Sequence, residues 1–361
     1  MKKTNVSDKI TELTSVLSTQ CSGSLNLARI KLIALFICSL CKVQTVTFSK
    51  LANAFDSSSE SASSLRRIQR FMADFSLDRD FVARLIFNLL PNKADKLILS
   101  IDRTNWKFGQ LDINIFMLGI VYEGVAFPLL FTMLKKRGNS NTQERIDLVE
   151  RFITLFGKDC IDALVADREF VGQKWIEYLN QEEIKYHIRI RANFKIFLPR
   201  KNKEVKAFWL FNNLKAGDYK VYDKIVKLGD QYCYVSGCKL SKGDFLILIS
   251  FNNPNQAQAH YKQRWQIEMC FKAMKSSGFD IEKTHLNKIE RIEKLVLLVM
   301  IAFVWCYKVG IYLHKLKPIK IKTHGRKAKS IFKYGLDYIA NSLLNTLNQD
   351  FINLTQFLSC T

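Results

Sequence analysis

The stretch KLILSID (residues 96–102) decides the fold, because the helical pattern of the sequence before it changes here to a pattern of strands. It is an apolar run of strand length that ends in a carboxylate, Asp102. The run IDALVAD (161–167) repeats the pattern and ends in Asp167. Short apolar runs of this kind are typical of buried strands. Functional sites of open α/β sheets gather at the carboxyl ends of strands, so both aspartates are candidate site residues.

The segments around these two runs predict a mixed α/β core. They comprise a strand hairpin at INIFMLGIVYEG (113–124) and VAFPLLFTML (125–134), a helix capped by Asn141 and Glu144, a helix near 171–180 and a strand at YHIRIR (186–191). The cap follows from the three-residue spacing of an N-cap residue and a glutamate. The predicted order is β-β-β-α-β-α-β.

A third carboxylate lies in the stretch YKQRWQIEMCFKAMK (261–275), which has the character of a helix. Tyr261, Arg264, Glu268 and Lys275 are separated by 3, 4 and 7 residues. At roughly 100° per residue, all four fall within about a 60° stripe of one helix face. Such a stripe suits a metal held beside a phosphate. The alternative is a solvated face with an Arg264–Glu268 ion pair.

Asp102, Asp167 and Glu268 form a set that two strand ends and one helix face can bring together. Three carboxylates can hold two divalent cations about 3.5–4 Å apart. One cation then activates a water or a 3′-hydroxyl, and the other stabilises the leaving oxygen of a phosphodiester. The sequence therefore predicts metal-dependent phosphodiester chemistry.

Charge points to a polyanionic partner. The 361 residues include 55 Lys and Arg against 33 Asp and Glu, a formal net charge of +22 that is spread along the chain. Nucleic acid fits this distribution better than a membrane surface, because the charge is not confined to one amphipathic helix. The apolar run LVLLVMIAFVWCYKVGIYL (295–313) is long enough to cross a membrane. We expect it instead to be the buried central helix of a domain, because it contains Lys308 and Gly310.

The cysteines and histidines predict neither a disulfide framework nor a zinc site. Nine cysteines, an odd number, are scattered along the chain, which favours a reducing cytoplasm. Cys38 and Cys41 form a C-x-x-C within an apolar helical pattern, with no second pair nearby.

The N-terminal region, residues 1–90, has the pattern of helices and is a predicted DNA-binding domain. Two short helices across a tight turn resemble a helix-turn-helix, and the second carries Arg66, Arg67 and Arg70. The alternative is an ordinary helical hairpin with a solvated basic face.

The predicted domains after this region follow the changes of pattern along the chain. They are a first part of the catalytic core at 91–192, a β-rich insertion at 193–252, a second part of the core at 253–315 and a basic region with helices at 316–361. The stretch from Lys315 to Lys333, at the start of this last region, contains eight basic residues and no acids, which indicates a nucleic-acid arm or a solvated loop.

Three motifs make the sequence resemble the DDE transposases of the insertion-sequence-4 (IS-4) family of bacterial mobile elements. They are IDRTNW (101–106), VADREF (165–170) and the Tyr-x2-Arg-x3-Glu-x6-Lys spacing at 261–275, which contains RWQIE. All three occur in the family's order, and the likeness covers roughly residues 20 to 340.

This resemblance implies an α/β, RNase H-like catalytic core interrupted by a β-strand insertion. It implies Asp102, Asp167 and Glu268 as the metal-binding triad, with two Mg²⁺ ions for which Mn²⁺ substitutes. The residues implied in contacts to phosphates and DNA are Tyr261, Arg264, Trp265 and Lys275. An aromatic residue of the insertion would stack on a flipped base during cleavage through a DNA hairpin. Phe245 is the positional candidate and Trp209 the runner-up, unless both pack the core of the insertion.

The implied function is cut-and-paste transposition by a nucleoid-associated bacterial protein. It involves double-stranded DNA at the element ends and the target, a dimer in the synaptic complex and no membrane. Two alternatives stay open: an RNase H-like nuclease without strand transfer, and an inactive DNA-binding relic of a transposase.

Overall fold

The computed structural model describes residues 6–20, 25–90, 96–108, 111–134, 136, 138–252, 254–323, 325–345 and 354–359. The chain forms two compact units. Unit 1 contains Met1–Lys93, Asn105–Ile113 and Phe271–Thr361, and unit 2 contains Ala94–Thr104 and Asn114–Cys270. The predicted domain boundaries stay predictions.

Ten strands form one sheet. They are β1 (Leu97–Phe108), β2 (Leu111–Tyr122), β3 (Val125–Leu134), β4 (Ile161–Ala166), β5 (Tyr186–Ile190), β6 (Lys195–Leu198), β7 (Lys203–Lys206), β8 (Tyr219–Leu228), β9 (Gln231–Lys239) and β10 (Phe245–Ser250). Their order is β3-β2-β1-β4-β5-β10-β9-β8-β6-β7. The first five strands have the order of an RNase H-like core, and the predicted mixed α/β fold is confirmed.

The pairing of β1 with β4 positions the candidate aspartates. The two strands are parallel, and Ile101 pairs with Ala166 at the end of the ladder. Asp102 and Asp167 each follow these paired residues directly, so the two backbones carry them side by side at the same edge of the sheet. β5 continues the parallel arrangement beside β4.

The insertion is continuous with this sheet. β10 pairs antiparallel with β5, with Ile249 opposite Ile188, and β9 pairs with the other edge of β10. Because β10 is hydrogen-bonded to β5, the five strands from β6 to β10 extend the sheet that β1 to β5 form.

Two helices and the segment that carries Glu268, as far as Cys270, complete unit 2. The helices are α6 (Thr142–Phe156) and α7 (Gln173–Gln181), and the predicted Asn141–Glu144 cap is present as a capping box. The stretch predicted as one regular helix is divided into α8 (Ala257–Lys262), a 3₁₀ turn (Gln263–Trp265) and α9 (Gln266–Lys275). The prediction of an unbroken helix was therefore wrong. The turn coincides with a hydrogen bond from the Ser100 hydroxyl to the Arg264 carbonyl at 3.4 Å, which draws a helix acceptor toward the sheet.

The described helices of unit 1 are α1 (Val6–Gln20), α2 (Leu27–Val43), α3 (Phe48–Asn53), α4 (Ser61–Asp74), α5 (Arg79–Asn88), α10 (Ile289–Leu316) and α11 (Ile331–Leu344). α10 contains an 18-residue window long and apolar enough to cross a membrane, and 89% of that window is buried inside the protein. This burial agrees with the predicted central helix. α10 packs against α2, α4, α5 and α11.

α10 and α11 approach so closely that glycine is required at their contact. A Cβ added at Gly335 would overlap the Cys306 carbonyl, and one added at Gly310 would overlap the Ile331 carbonyl. Backbone atoms of a packed helix cannot move aside as a flexible side chain can, so a methyl group here must separate the helices.

We expect Gly335→Ala to lower the free energy of unfolding by about 3 kcal/mol, because overpacking of this contact strains two helices. Chemical denaturation followed by tryptophan fluorescence measures the change. Gly172→Ala is the matched control: its Cβ would lie 3.9 Å from the Arg145 guanidinium, an ordinary contact. The control should change stability by less than about 0.5 kcal/mol. Equal stability of the two variants would contradict the close packing.

Candidate active site

Asp102 is a half-buried carboxylate that directly follows the part of β1 paired with β4. Its Oδ1 accepts a hydrogen bond from the Arg103 backbone N–H at 2.7 Å, and its Oδ2 faces the Arg264 guanidinium at 3.2 Å. Burial raises the pKa of Asp102 to about 6, although the Arg103 hydrogen bond and the Arg264 charge oppose the shift. The ionised carboxylate is therefore stable here only because positive groups surround it.

Asp167 follows β4 and precedes a 3₁₀ turn, Arg168–Phe170. The Tyr261 hydroxyl donates a hydrogen bond to its Oδ1 at 3.2 Å, and the Arg189 guanidinium lies 4.0 Å from the same oxygen. Burial, together with the negative charge of Asp167, raises the pKa of Tyr261 to about 12. The phenol consequently keeps its proton at neutral pH and acts as a donor.

Arg264 joins two of the three candidate carboxylates. Its Nη1 lies 3.2 Å from Asp102 Oδ2, and its Nη2 donates to Glu268 Oε1 at 2.6 Å. The Arg264–Glu268 ion pair is thus present, but Arg264 is 7% exposed. The interpretation as a purely solvated helix face therefore fails, because one buried guanidinium neutralises acids from both the sheet and the helix.

The carboxylates meet through donors and do not form a ready coordination shell. Among the described residues, no three His, Cys, Asp or Glu side chains lie close enough to hold one metal ion. The donor chemistry nevertheless fits Mg²⁺, which prefers carboxylate oxygens. Asp102 fits as well, since a cation would relieve the cost of its buried charge. The assignment of Asp102, Asp167 and Glu268 as metal ligands stays a prediction.

Arg103 and Glu169 link the segments that follow the two aspartates, and Arg103 was not among the predicted site residues. The Arg103 Nε and Nη2 donate to the two Glu169 carboxylate oxygens at 3.3 and 3.0 Å. The same guanidinium donates to Asn114 and Asn139 at 3.3 and 3.1 Å. Bidentate pairs of this kind fix geometry as well as charge. The only indication of this pair in the sequence is position: Arg103 follows Asp102, and Glu169 lies two residues after Asp167.

Two other predicted contact residues lie on the same segment. Trp265 is 59% exposed, with the Arg264 guanidinium 5.8 Å from its ring centre. An indole so exposed is accessible to a partner. Lys275, at the end of α9, pairs with Glu282 at 3.1 Å in unit 1.

Phe245 lines an arginine-lined cavity of about 480 Å³ in unit 2. The cavity is formed by Arg168, Arg189, Ile190, Arg191, Ala192, Asn193, Phe208, Asp244 and Phe245. Arg189 also approaches Asp167, so the cavity adjoins the carboxylate network. Trp209 is 64% exposed and does not line this cavity, which leaves Phe245 as the better placed aromatic residue.

The three arginines of α4 lie mainly on its accessible side. Arg66 and Arg70 are exposed and Arg67 is half-buried. Arg67 and Arg70 line a groove of about 320 Å³ together with Arg29, whose guanidinium lies 4.3 Å from the ring centre of Phe75. This basic groove is compatible with a nucleic-acid contact, which stays a prediction.

Comparison with known proteins relates the chain to a described family and leaves the assignment of the individual carboxylates a prediction. The sequence profile of the family described as "Transposase DDE domain" matches residues 93–305, more than half of the chain. No curated protein sequence matches the chain at a significant level. Among solved structures, it is similar to the piggyBac transposase synaptic complex with hairpin DNA, with 13% identity and a TM-score of 0.47 over 94% of this chain and 77% of that chain.

We expect Arg103→Gln and Glu169→Gln each to weaken Mn²⁺ binding by about 10- to 100-fold, because groups that orient metal ligands have effects of this size. Titration calorimetry measures the affinity. The double variant should lose little more than either single variant, since both remove the same pair. Glu204→Gln is the matched control, because it removes a carboxylate from the exposed Lys195–Glu204 pair. Additive losses, or an equal loss in the control, would show that the pair does not position the site.

Proposed function

From the premise that the chain belongs to the DDE-domain transposase family, and is therefore a DNA transposase, we propose that it binds the terminal inverted repeats of an insertion sequence and catalyses strand cleavage and strand transfer. One observation carries the proposal. The parallel register of β1 and β4 sets Asp102 beside Asp167, and Arg264 ties Asp102 to Glu268.

Transposases of this family use divalent metal ions, and we propose two Mg²⁺ ions, with Mn²⁺ as a substitute, held by Asp102, Asp167 and Glu268. Such ions activate the attacking oxygen and stabilise the leaving oxygen of a phosphodiester. The protein's own contribution would be hard oxygen ligands with positive groups nearby, and the carboxylates would have to move closer together to share an ion, because they do not form a coordination shell in the structure.

Tyr261 and Arg264 are proposed to bind and orient the scissile phosphate. Tyr261 is a protonated phenol that donates toward Asp167, and Arg264 is a buried guanidinium beside Asp102. Phenol and guanidinium groups both donate hydrogen bonds to phosphate oxygens. Lys275 and Trp265 are proposed to contact DNA further along the same segment.

The proposed partners are double-stranded DNA at the element ends and at the target, with two protomers in the synaptic complex. The net charge of +22 supports a DNA partner. α4, with Arg66, Arg67 and Arg70, is proposed to contact DNA from unit 1. A reducing, nucleoid-associated bacterial location and an IS-4 type of element complete the proposal.

We expect Asp102→Asn, Asp167→Asn and Glu268→Gln each to reduce Mg²⁺-dependent cleavage of a labelled element-end duplex by about 10³-fold or more, because each removes a charged metal ligand. Binding of the same duplex should change by less than about threefold, since the substitutions preserve shape and remove negative charge. Cleavage on denaturing gels and binding by fluorescence anisotropy supply the two measurements.

Asp162→Asn is the matched control for the triad variants. Asp162 lies on β4, the strand that Asp167 directly follows, and its carboxylate is 3.6 Å from His260. Cleavage should persist in this variant. Cleavage that persists in a triad variant removes that residue from the site. Nicking by the wild type without joining to target DNA supports the nuclease alternative, and binding without nicking supports the relic.

We expect Phe245→Ala to slow hairpin formation at the element end by about 10- to 100-fold, because stacking of a base on an aromatic ring contributes about 1–3 kcal/mol. A 2-aminopurine at the terminal position reports the flipped base through its fluorescence. Trp209→Ala should leave rate and fluorescence nearly unchanged, because Trp209 lies outside the arginine-lined cavity. The reverse pattern would assign the stacking role to Trp209.

A further inference from the structure

The connection between α10 and α11, residues 317–330, is longer than the packing of these helices requires. The Ile331 carbonyl lies against Gly310, so α11 begins beside a point six residues before the end of α10. Six helical residues span about 9 Å, a distance that about three extended residues cross. Connections between packed helices usually contain 2–8 residues, and longer ones are usually functional or unstructured.

The described residues of this connection have a defined structure, which we call the basic hairpin (residues 317–323 and 325–329). Ile321 and Lys327 form an antiparallel bridge. On either side, the Lys322 N–H donates to the Arg326 carbonyl and the Ala328 N–H donates to the Lys320 carbonyl, both at 2.8 Å. The connection is therefore a hydrogen-bonded two-stranded ribbon.

A glycine closes the turn, and an apolar residue anchors the base. Gly325 has a φ of 77°, and its N–H donates to the Lys322 carbonyl at 2.8 Å. At the base, the Ile319 side chain is buried, and its N–H donates to His314 Nδ1 at 2.9 Å. The ribbon is held at one end, and its described residues beyond Ile319 are exposed.

The pairing sorts the side chains of the basic hairpin onto two faces. Successive side chains of a strand point to opposite sides, so Lys320 and Lys322 share one face with Arg326, while Ile321 and Lys327 share the other. Lys329 forms an ion pair with Asp337 at 3.1 Å and is not counted among the cations of the first face. One face of the ribbon therefore presents three cations close to the turn.

The pairing brings like charges close together. Lys322 and Arg326 lie directly across from each other, and like charges opposite one another destabilise paired strands. No acidic residue occurs between Lys315 and Lys333 in the sequence. A freely solvated loop needs neither the strand pairing nor the concentration of one sign of charge. Both features are explained by a polyanion that lies along the ribbon.

We propose that the basic hairpin binds the phosphate backbone of duplex DNA through Lys320, Lys322 and Arg326. A two-stranded ribbon has dimensions that duplex grooves admit, and lysine and arginine contacts to phosphates position a protein without reading sequence. The inference rests on the proposed function, because it assumes that DNA is the partner. It assigns the hairpin a role in holding DNA, and none in cleavage.

The test is the salt dependence of binding to a fluorescein-labelled 30-base-pair duplex of arbitrary sequence, measured with the full chain. Each phosphate contact contributes about 0.9 to the slope of log K against log salt concentration. The variant Lys320→Gln/Lys322→Gln/Arg326→Gln should lower the magnitude of the slope by about 2 to 3 and weaken binding at least about tenfold at 0.1 M salt.

The matched control removes the same number of charges elsewhere. Lys31, Lys174 and Lys288 are exposed residues on three separate parts of the chain, so Lys31→Gln/Lys174→Gln/Lys288→Gln makes an equal change in net charge. Its slope should stay within about 1 of the wild-type slope. A slope unchanged in the hairpin variant, or lowered equally in the control, would overturn the proposal. Matching thermal unfolding midpoints establish that the variants are folded.

Two further measurements distinguish DNA binding by the hairpin from membrane binding and from a role in cleavage. Phosphatidylserine-containing vesicles test a membrane surface, and loss of vesicle binding with intact DNA binding in the hairpin variant would overturn the proposal. A lowered DNA slope in the same variant supports it. Cleavage of a pre-bound element end at saturating protein should persist in the hairpin variant and disappear in Asp102→Asn. Failure of the hairpin inference is thereby distinguishable from failure of the proposed function.

Discussion

The parallel pairing of β1 with β4 is the constraint on which the site depends. Because Ile101 and Ala166 are partners in the ladder, Asp102 and Asp167 emerge side by side at one edge of the sheet. Burial, together with the negative charges of Glu268 and Glu169, raises the pKa of Asp102. The carboxylate at the end of the β1–β4 ladder therefore needs positive or hydrogen-bond-donating groups around it.

Hydrogen-bond donors, two of them buried, stabilise these carboxylates. Arg264 contacts Asp102 and Glu268, Tyr261 donates to Asp167, and Arg103 holds Glu169 in a bidentate pair. Burying a charge is costly unless it is paired and hydrogen-bonded, and each of these acids has such a partner. The same groups that stabilise the carboxylates donate hydrogen bonds of the kind that phosphates accept. Stabilisation of the fold and the proposed phosphate binding would therefore use one set of residues.

The sequence predicted the strands, the hairpin at Glu123–Gly124 and both aspartates, because apolar runs and their polar ends are local signals. The hairpin is present, with Tyr122 opposite Val125 and positive φ angles at Glu123 and Gly124. It did not predict the 3₁₀ turn at Gln263–Trp265, since the hydrogen bond from Ser100 joins residues 164 positions apart. Arg103 was missed for the same reason, because its partner Glu169 lies 66 positions away.

The prediction that the first strand ends at Asp102 was wrong, because β1 continues to Phe108. What the sequence by itself determined is which residue types are available and where apolar runs end in a carboxylate. That information is local, since side-chain periodicity and the placement of carboxylates are read within a few residues. Only the tertiary structure decided which acids share a donor, that Arg264 is buried, that the insertion extends the catalytic sheet through β10, and that the basic run after α10 folds into a hairpin. Each of these depends on strand register or on burial, and both are set by contacts between segments far apart in the chain.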